Sequence, residues 1–241
     1  MDAELSTFLE RHALQFEQSL GSRNWDITII TGHADICPAS KLSALTSGTH
    51  FATAAGKIYE YQTKRREFST KAQRQSLIRR LRETLVKLVV ISGVPKSFEA
   101  ILGLASTIED EDNDKTFSRS GWTPETIAVR GEDMNNRIYQ GDADPVLRLL
   151  QPHQDFIFVL KDIVYGLFLS EDSNLSNLEA EIVLLSSLII QNVPKEAIGH
   201  MKGLLRLGME KEVLGSLVSA VGNVAEYMGM SVPTLPSVED I

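Results

Sequence analysis

The chain has 241 residues, long enough to bury a sizeable core without disulfides or metals, as one large domain or two small ones. Hydrophobic residues make up 43% and charged residues 23%, close to the soluble average, which excludes global disorder and a fibrous architecture. A formal net charge of −8 argues against general nucleic-acid binding, where phosphate neutralisation supplies most of the affinity.

That total hides an asymmetry. Between Lys64 and Lys87, nine basic residues stand against Glu67 and Glu83, so this segment carries +7 and the remainder −15. A solvated helix face pairing with acidic surface elsewhere is the expected use of such a segment, ahead of an RNA or anionic-ligand site. The most apolar window, residues 182–190, includes Ser186 and Ser187 and falls well short of the roughly 20 residues that span a bilayer, so no membrane segment is expected. The chain opens Met-Asp-Ala-Glu, with acids where a targeting peptide needs Lys or Arg. An intracellular setting is therefore expected, the cytoplasm by default, with mitochondrion and peroxisome left open. The C-terminal Val-Glu-Asp-Ile is not a Ser-Lys-Leu peroxisomal signal, and the internal Ser40-Lys41-Leu42 cannot serve as one.

Helical periodicity dominates. Residues 3–20 place Leu5, Phe8, Leu9, Leu14, Phe16 and Leu20 mostly at helical spacing. Residues 25–30, Trp-Asp-Ile-Thr-Ile-Ile, are β-branched but lack a partner strand, so they read as a helix or buried turn. Helices are expected over 40–61, 70–92 and 96–108, the last two divided by Gly93-Val94-Pro95. The polar stretch 109–121 carries Asp110, Asp112 and Asp114 in alternation, but Lys115 and Gly121 stand where a calcium loop needs Gly and Glu. A solvated loop is expected there. Thr123-Pro124-Glu125 then opens a helix over 124–139, with further helices at 144–150, 153–169, 176–191, 195–207 and 210–228, and a mobile tail from Ser231. The sum is an all-α bundle over residues 40–230, preceded by a helical extension over 1–39 and followed by a flexible tail over 231–241.

An internal echo runs through this bundle. Glu83 precedes an apolar helix and then Val94-Pro95-Lys96; Glu181 precedes another and then Val193-Pro194-Lys195, which suggests a duplicated helical unit. Nineteen residues after Glu181 stands His200, eight further on Gly208, and then Glu210-Lys211-Glu212. With the upstream Arg-Leu-Arg-Glu-Thr-Leu-Val-Lys-Leu-Val-Val-Ile-Ser-Gly-Val-Pro as a degenerate first unit, this pattern resembles the carboxymuconolactone decarboxylase and alkylhydroperoxidase-D-like family. The resemblance implies an all-α bundle of duplicated helical units, a homo-oligomer and no cofactor. In the peroxidase branch a Cys-x-x-Cys pair precedes the His, at positions held here by Val193 and Glu196, and neither can act as the thiolate nucleophile. Positions where the decarboxylase branch carries a further Glu, His and Tyr hold Gly215, Ser219 and Asn223, and Leu102 stands where the first unit would need its His.

The expected function is a cofactor-independent acid/base lyase or isomerase acting on a small carbonyl or carboxylate compound. The alternative is a non-catalytic oligomeric binding or scaffold protein. His200 is the expected acid/base, since an imidazole oriented by a carboxylate moves protons near neutral pH. Glu181 is its orienter, and Glu196, one turn before His200, could also face it. Arg82 and Arg206 are candidate anion partners, and Tyr165 with Tyr139 is expected in the core or lining an inner cavity. Trp122 is expected to anchor its loop to the bundle. Cys37, the single cysteine, allows no intramolecular disulfide, and His33, Asp35 and Cys37 are too few for a metal set. The apolar helices over 181–228 suggest a dimer.

Overall fold

The computed structural model describes residues 49–227 and 230–241, together with helical backbone at Thr7, Arg11 and Gln18. The rest of the helix expected over 3–20, the segment 25–30, and His33, Asp35 and Cys37 lie outside the described residues. Among those described, every regular element is helical. The order is α1 (Thr49–Thr63), α2 (Lys71–Ser92), α3 (Val94–Ala105), α4 (Pro124–Tyr139), α5 (Asp144–Leu150) and α6 (Gln154–Phe158); α6 runs directly into a π-helix (Val159–Leu169), followed by α7 (Asn177–Ile190), α8 (Pro194–Arg206) and α9 (Lys211–Tyr227). Short 3₁₀ turns occupy Arg66–Phe68 and Val238–Asp240.

Local chemistry sets most of these boundaries. Thr70 and Ser176 form reciprocal capping boxes with Gln73 and Glu179 at the starts of α2 and α7, and the Thr123 side chain accepts from the Thr126 N–H at the start of α4. Proline occupies the first turn of α3, α4, α5 and α8, where its missing N–H is harmless. Gly93, at φ 86°, separates α2 from α3, and Gly208, at φ 94°, follows α8.

Helix α7 is the centre of the bundle. Residues 179–190 are all buried, as expected of a helix apolar on every side, and α7 packs against α2, α8 and α9. Its apolar surface is thus consumed within one chain rather than left for a partner. The two helix pairs α2–α3 and α7–α8 give the sequence echo a physical form. Each pair carries a buried acid on its first helix, Glu83 or Glu181, and a proline at the start of its second.

Three expectations change. Segment 153–169 is not one α-helix, since it widens at Val159 into the π-helix, whose last turn closes with the Ser170 N–H on the Tyr165 carbonyl. The 109–121 segment is only partly solvated. Asp112 is 3% exposed, receiving the Arg74 guanidinium (Nη2 at 2.9 Å), and Asp114 pairs with Arg79 at 2.6 Å. The +7 segment is therefore drawn in part onto this acidic loop. The tail also packs: Leu235, Val238 and Ile241 lie against the core, and Lys211 reaches Glu239 at 3.6 Å. Trp122 sits beneath Arg130, whose guanidinium lies 4.6 Å from the ring centroid.

A second network ties the π-helix to α2. Glu83 accepts from both Arg119 terminal nitrogens, at 2.9 and 2.6 Å, and pairs with Lys87 at 3.2 Å. Lys87 in turn donates to the carbonyls of Leu169 and Glu171, and Arg119 to those of Leu167 and Phe168. Two cations thus collect the unpaired carbonyls at the end of the π-helix. Burial pushes the Lys87 ammonium down to about 8, against the opposing pull of Glu83. An unfolded lysine titrates near 10.5, so between about pH 8 and 10 the unfolded chain binds more protons, and this group adds stability as pH rises. Measured by urea denaturation, wild type is expected to gain about 2 kcal/mol relative to Lys87→Met across that window. A constant difference between the two proteins would show that Lys87 keeps its proton throughout.

Candidate functional site

Four helices converge on one chain of polar groups. Glu181 on α7 is fully buried, and its Oε2 lies 2.7 Å from His200 Nδ1 on α8. The His200 Nε2 faces the Tyr139 hydroxyl at the end of α4, a long contact of 3.4 Å. Tyr139 meets the Tyr165 hydroxyl of the π-helix at 2.7 Å, the two rings edge to face. An ionised Glu181 can only accept, which places a proton on His200 Nδ1 and turns the Nε2 lone pair toward Tyr139. The hydroxyls then run in one direction, Tyr165 to Tyr139 to His200.

Burial, with a smaller contribution from the carboxylates of Glu181 and Glu196, pushes the Tyr139 hydroxyl up to about 12. Burial likewise holds Tyr165 well above its ordinary value. Both phenols are proton donors at neutral pH. The second oxygen of Glu181, Oε1, is buried and has no hydrogen-bond partner. A buried carboxylate oxygen left open beside an imidazole is a place for a water or a ligand group to bind.

Two residues hold this arrangement in place. Arg206 donates to the carbonyls of Ile138 and Tyr139, at 2.8 and 2.9 Å, and pairs with Asp142 beyond the helix end. It caps α4 and thereby fixes Tyr139, so its role is positioning. The same guanidinium holds the Asp142 carboxyl below the usual carboxylate range. Gly203 lets α8 approach, since a Cβ there would lie 2.8 Å from Ile138 Cγ2 and 3.0 Å from Glu181 Oε2.

Of the residues singled out from sequence, His200, Glu181 and Tyr165 come together here. Glu196 is exposed on the first turn of α8, where the helix dipole favours an acid, and makes no hydrogen bond to His200. Arg82 lies elsewhere: it bonds to the Asp114 carbonyl and Asn113 Oδ1 and lines a cavity of the first helix pair. Gly215 and Ser219, on α9, are partly or fully exposed, and the Ser219 hydroxyl donates back to the Gly215 carbonyl. Tyr139 is the link that sequence reasoning left in a generic core role, and its only signal is a tyrosine at a helix end. Among the described residues no cluster of three or more His, Cys, Asp or Glu could hold a metal, and no helix is long and apolar enough to cross a membrane.

No family model and no solved structure matches the chain. Two curated proteins are similar to it. Peroxisomal protein 2 of Schizosaccharomyces pombe is 27% identical over an alignment covering 64% of this chain and 73% of that protein. Peroxisomal protein 2 of Saccharomyces cerevisiae is 23% identical, over 65% of this chain and 64% of that protein, so this chain spans less than two thirds of it.

Proposed function

We propose that the protein is a carboxymuconolactone decarboxylase-like acid/base enzyme, a lyase or isomerase without a cofactor, acting on a small carbonyl or carboxylate compound. The observation that carries this reading is the continuous path Glu181–His200–Tyr139–Tyr165, drawn from four helices into one buried line. On substrate binding the Tyr139 hydroxyl turns from His200 Nε2 to the oxygen on which charge develops, which frees Nε2 to take a proton from the substrate while Glu181 stabilises the imidazolium that forms. The name of the two relatives supports a peroxisomal setting for this activity.

The test is deuterium incorporation, followed by NMR, into a panel of small 2-oxo acids and lactones with the full chain in D₂O. Proton abstraction next to a carbonyl exchanges that position whether or not turnover is complete. His200→Asn and Glu181→Gln are each expected to lower exchange by about 100-fold or more, and Tyr139→Phe by about tenfold. Exchange no faster than in buffer, across the whole panel, would sink the enzyme reading.

One observation favours the alternative, a non-catalytic oligomeric scaffold. Leu149, Phe156 and Phe158 on α5 and α6 are 78%, 56% and 55% exposed, apolar surface that a second copy of the chain could cover. A sedimenting dimer that Leu149→Asp converts to monomer, together with absent exchange, is the result expected of that reading.

A further inference from the structure

A cavity belongs to the first helix pair, and the acid/base site makes no use of it. It occupies about 480 Å³ between α2, α3 and the 116–119 segment, within the size range of small-molecule sites. Val86 and Val89 of α2, Phe98 of α3 and Phe117 of the loop give it apolar walls. Phe98 and Phe117 remain 55% and 71% exposed at its mouth, apolar surface that a bound molecule would cover.

Its polar groups are few and unevenly matched. Three guanidinium groups line it against one carboxylate. Arg119 is matched by that carboxylate, Glu83, and Arg79 by Asp114 from outside the lining. The hydrogen bonds of Arg82 go instead to neutral acceptors, the Asp114 carbonyl and Asn113 Oδ1. One positive charge is therefore left without a carboxylate at the cavity wall. Ser97, from α3, also lines the cavity; it is 4% exposed, and its hydroxyl has no hydrogen-bond partner. A buried donor without an acceptor, an unmatched guanidinium and apolar walls together describe a single class of ligand, a monoanion with an apolar tail.

We propose that this cavity binds an alkyl monocarboxylate, with its carboxylate held by Arg82 and Ser97 and its tail along Val86, Val89 and Phe98. The site is independent of His200. It stands or falls without the catalytic reading above.

Isothermal titration of the full chain with decanoate tests it, with 1-decanol as the uncharged control. Saturable binding at one site is expected, with decanol at least about tenfold weaker, the share of a charge-assisted hydrogen bond. Arg82→Ala is expected to weaken decanoate by about tenfold or more, Val89→Trp to abolish binding by filling the cavity, and His200→Asn to leave it unchanged. Because Arg82 also ties down the 113–114 segment, Ser97→Ala provides a variant that leaves that tie in place, with an expected loss of several-fold. Equal affinity for decanoate and decanol, or decanoate binding that survives both Arg82→Ala and Val89→Trp, would overturn the proposal. So would weakening by His200→Asn, which would put the ligand in the other site. Absence of binding, with a dimer that Phe117→Asp dissociates, would show that a second copy of the chain fills the groove instead.

Discussion

Glu83→Ala is expected to lower the free energy of unfolding by about 3–5 kcal/mol, the range for breaking a buried ion pair by removing one partner. Glu83 is 4% exposed and is the carboxylate shared by Lys87 and Arg119. Lys87 is fully buried, so it cannot turn to solvent when the carboxylate is lost, and it either stays charged and uncompensated or gives up its proton. Both routes destabilise the fold. Urea denaturation reads the loss directly, and a thermal midpoint lowered by roughly 6–20 °C is the corresponding shift for a chain of this size. The double variant with Lys87→Met should recover part of the loss, because it removes one of the stranded cations. A loss below about 1 kcal/mol would mean that the two cations find other anions, and the clamp on the π-helix would then have to be assigned differently.

Gly131→Ala is expected to cost about 3 kcal/mol or more, at the upper end of overpacking. In an exposed helix the same change would stabilise by about 1 kcal/mol. Here α4 crosses the π-helix backbone to backbone: a Cβ on Gly131 would press into the Lys161 carbonyl and lie 2.9 Å from the Gly166 nitrogen. Gly166 faces back in the same way, and its Cβ would press into the Ile127 carbonyl. No flexible side chain can give way, because the obstacles are main chain. Since Tyr139 and Tyr165 ride on these two helices, the variant should also part their hydroxyls, which under the proposed function slows deuterium exchange further than its folded fraction explains. A Gly131→Ala protein as stable as wild type by chemical denaturation would show that the two helices can separate freely.

Much of the helical layout is legible from residues alone because its boundaries are chemical. Thr70, Thr123 and Ser176 cap the helices that follow them, and the first-turn prolines mark α4 and α8. The ranges 124–139 and 144–150 read from sequence are those of α4 and α5. The π-helix is not legible in this way. Residues 159–169 are apolar on most sides, and a pattern without a clear polar face cannot separate a step of four from a step of five. Asp112 and Asp114 read as loop acids because nothing local reveals that Arg74 and Arg79 lie over them. In the site, the pairing of Glu181 with His200 is what the resemblance to the decarboxylase and hydroperoxidase family implies, and the two side chains do meet. Tyr139 is 61 residues from His200, and only the crossing of α4, α8 and the π-helix brings it there. The surroundings of Arg82 are hidden for a related reason: a guanidinium reads as an anion partner from sequence, while its actual partners, the Asp114 carbonyl and Asn113 Oδ1, are set by which loop folds across it.

The widened helix has a consequence for how the chain tolerates change in length. A π-turn holds one more residue than the α-turn it replaces, so residues 159–169 contain a surplus that the backbone stores as a bulge. Deleting one residue between 159 and 164 would let the ladder relax to the ordinary step, which an isolated helix would prefer. Because the wide turn spends its surplus residue on about the same rotation as an α-turn, the side chains beyond such a relaxed deletion would return close to their present angle about the axis, Tyr165 toward Tyr139 and Gly166 toward the crossing with Gly131. The bulge thus behaves as a store of length: this segment can give up one residue and keep its later side chains in place, where an ordinary α-helix losing one residue would turn every side chain after it by about 100°.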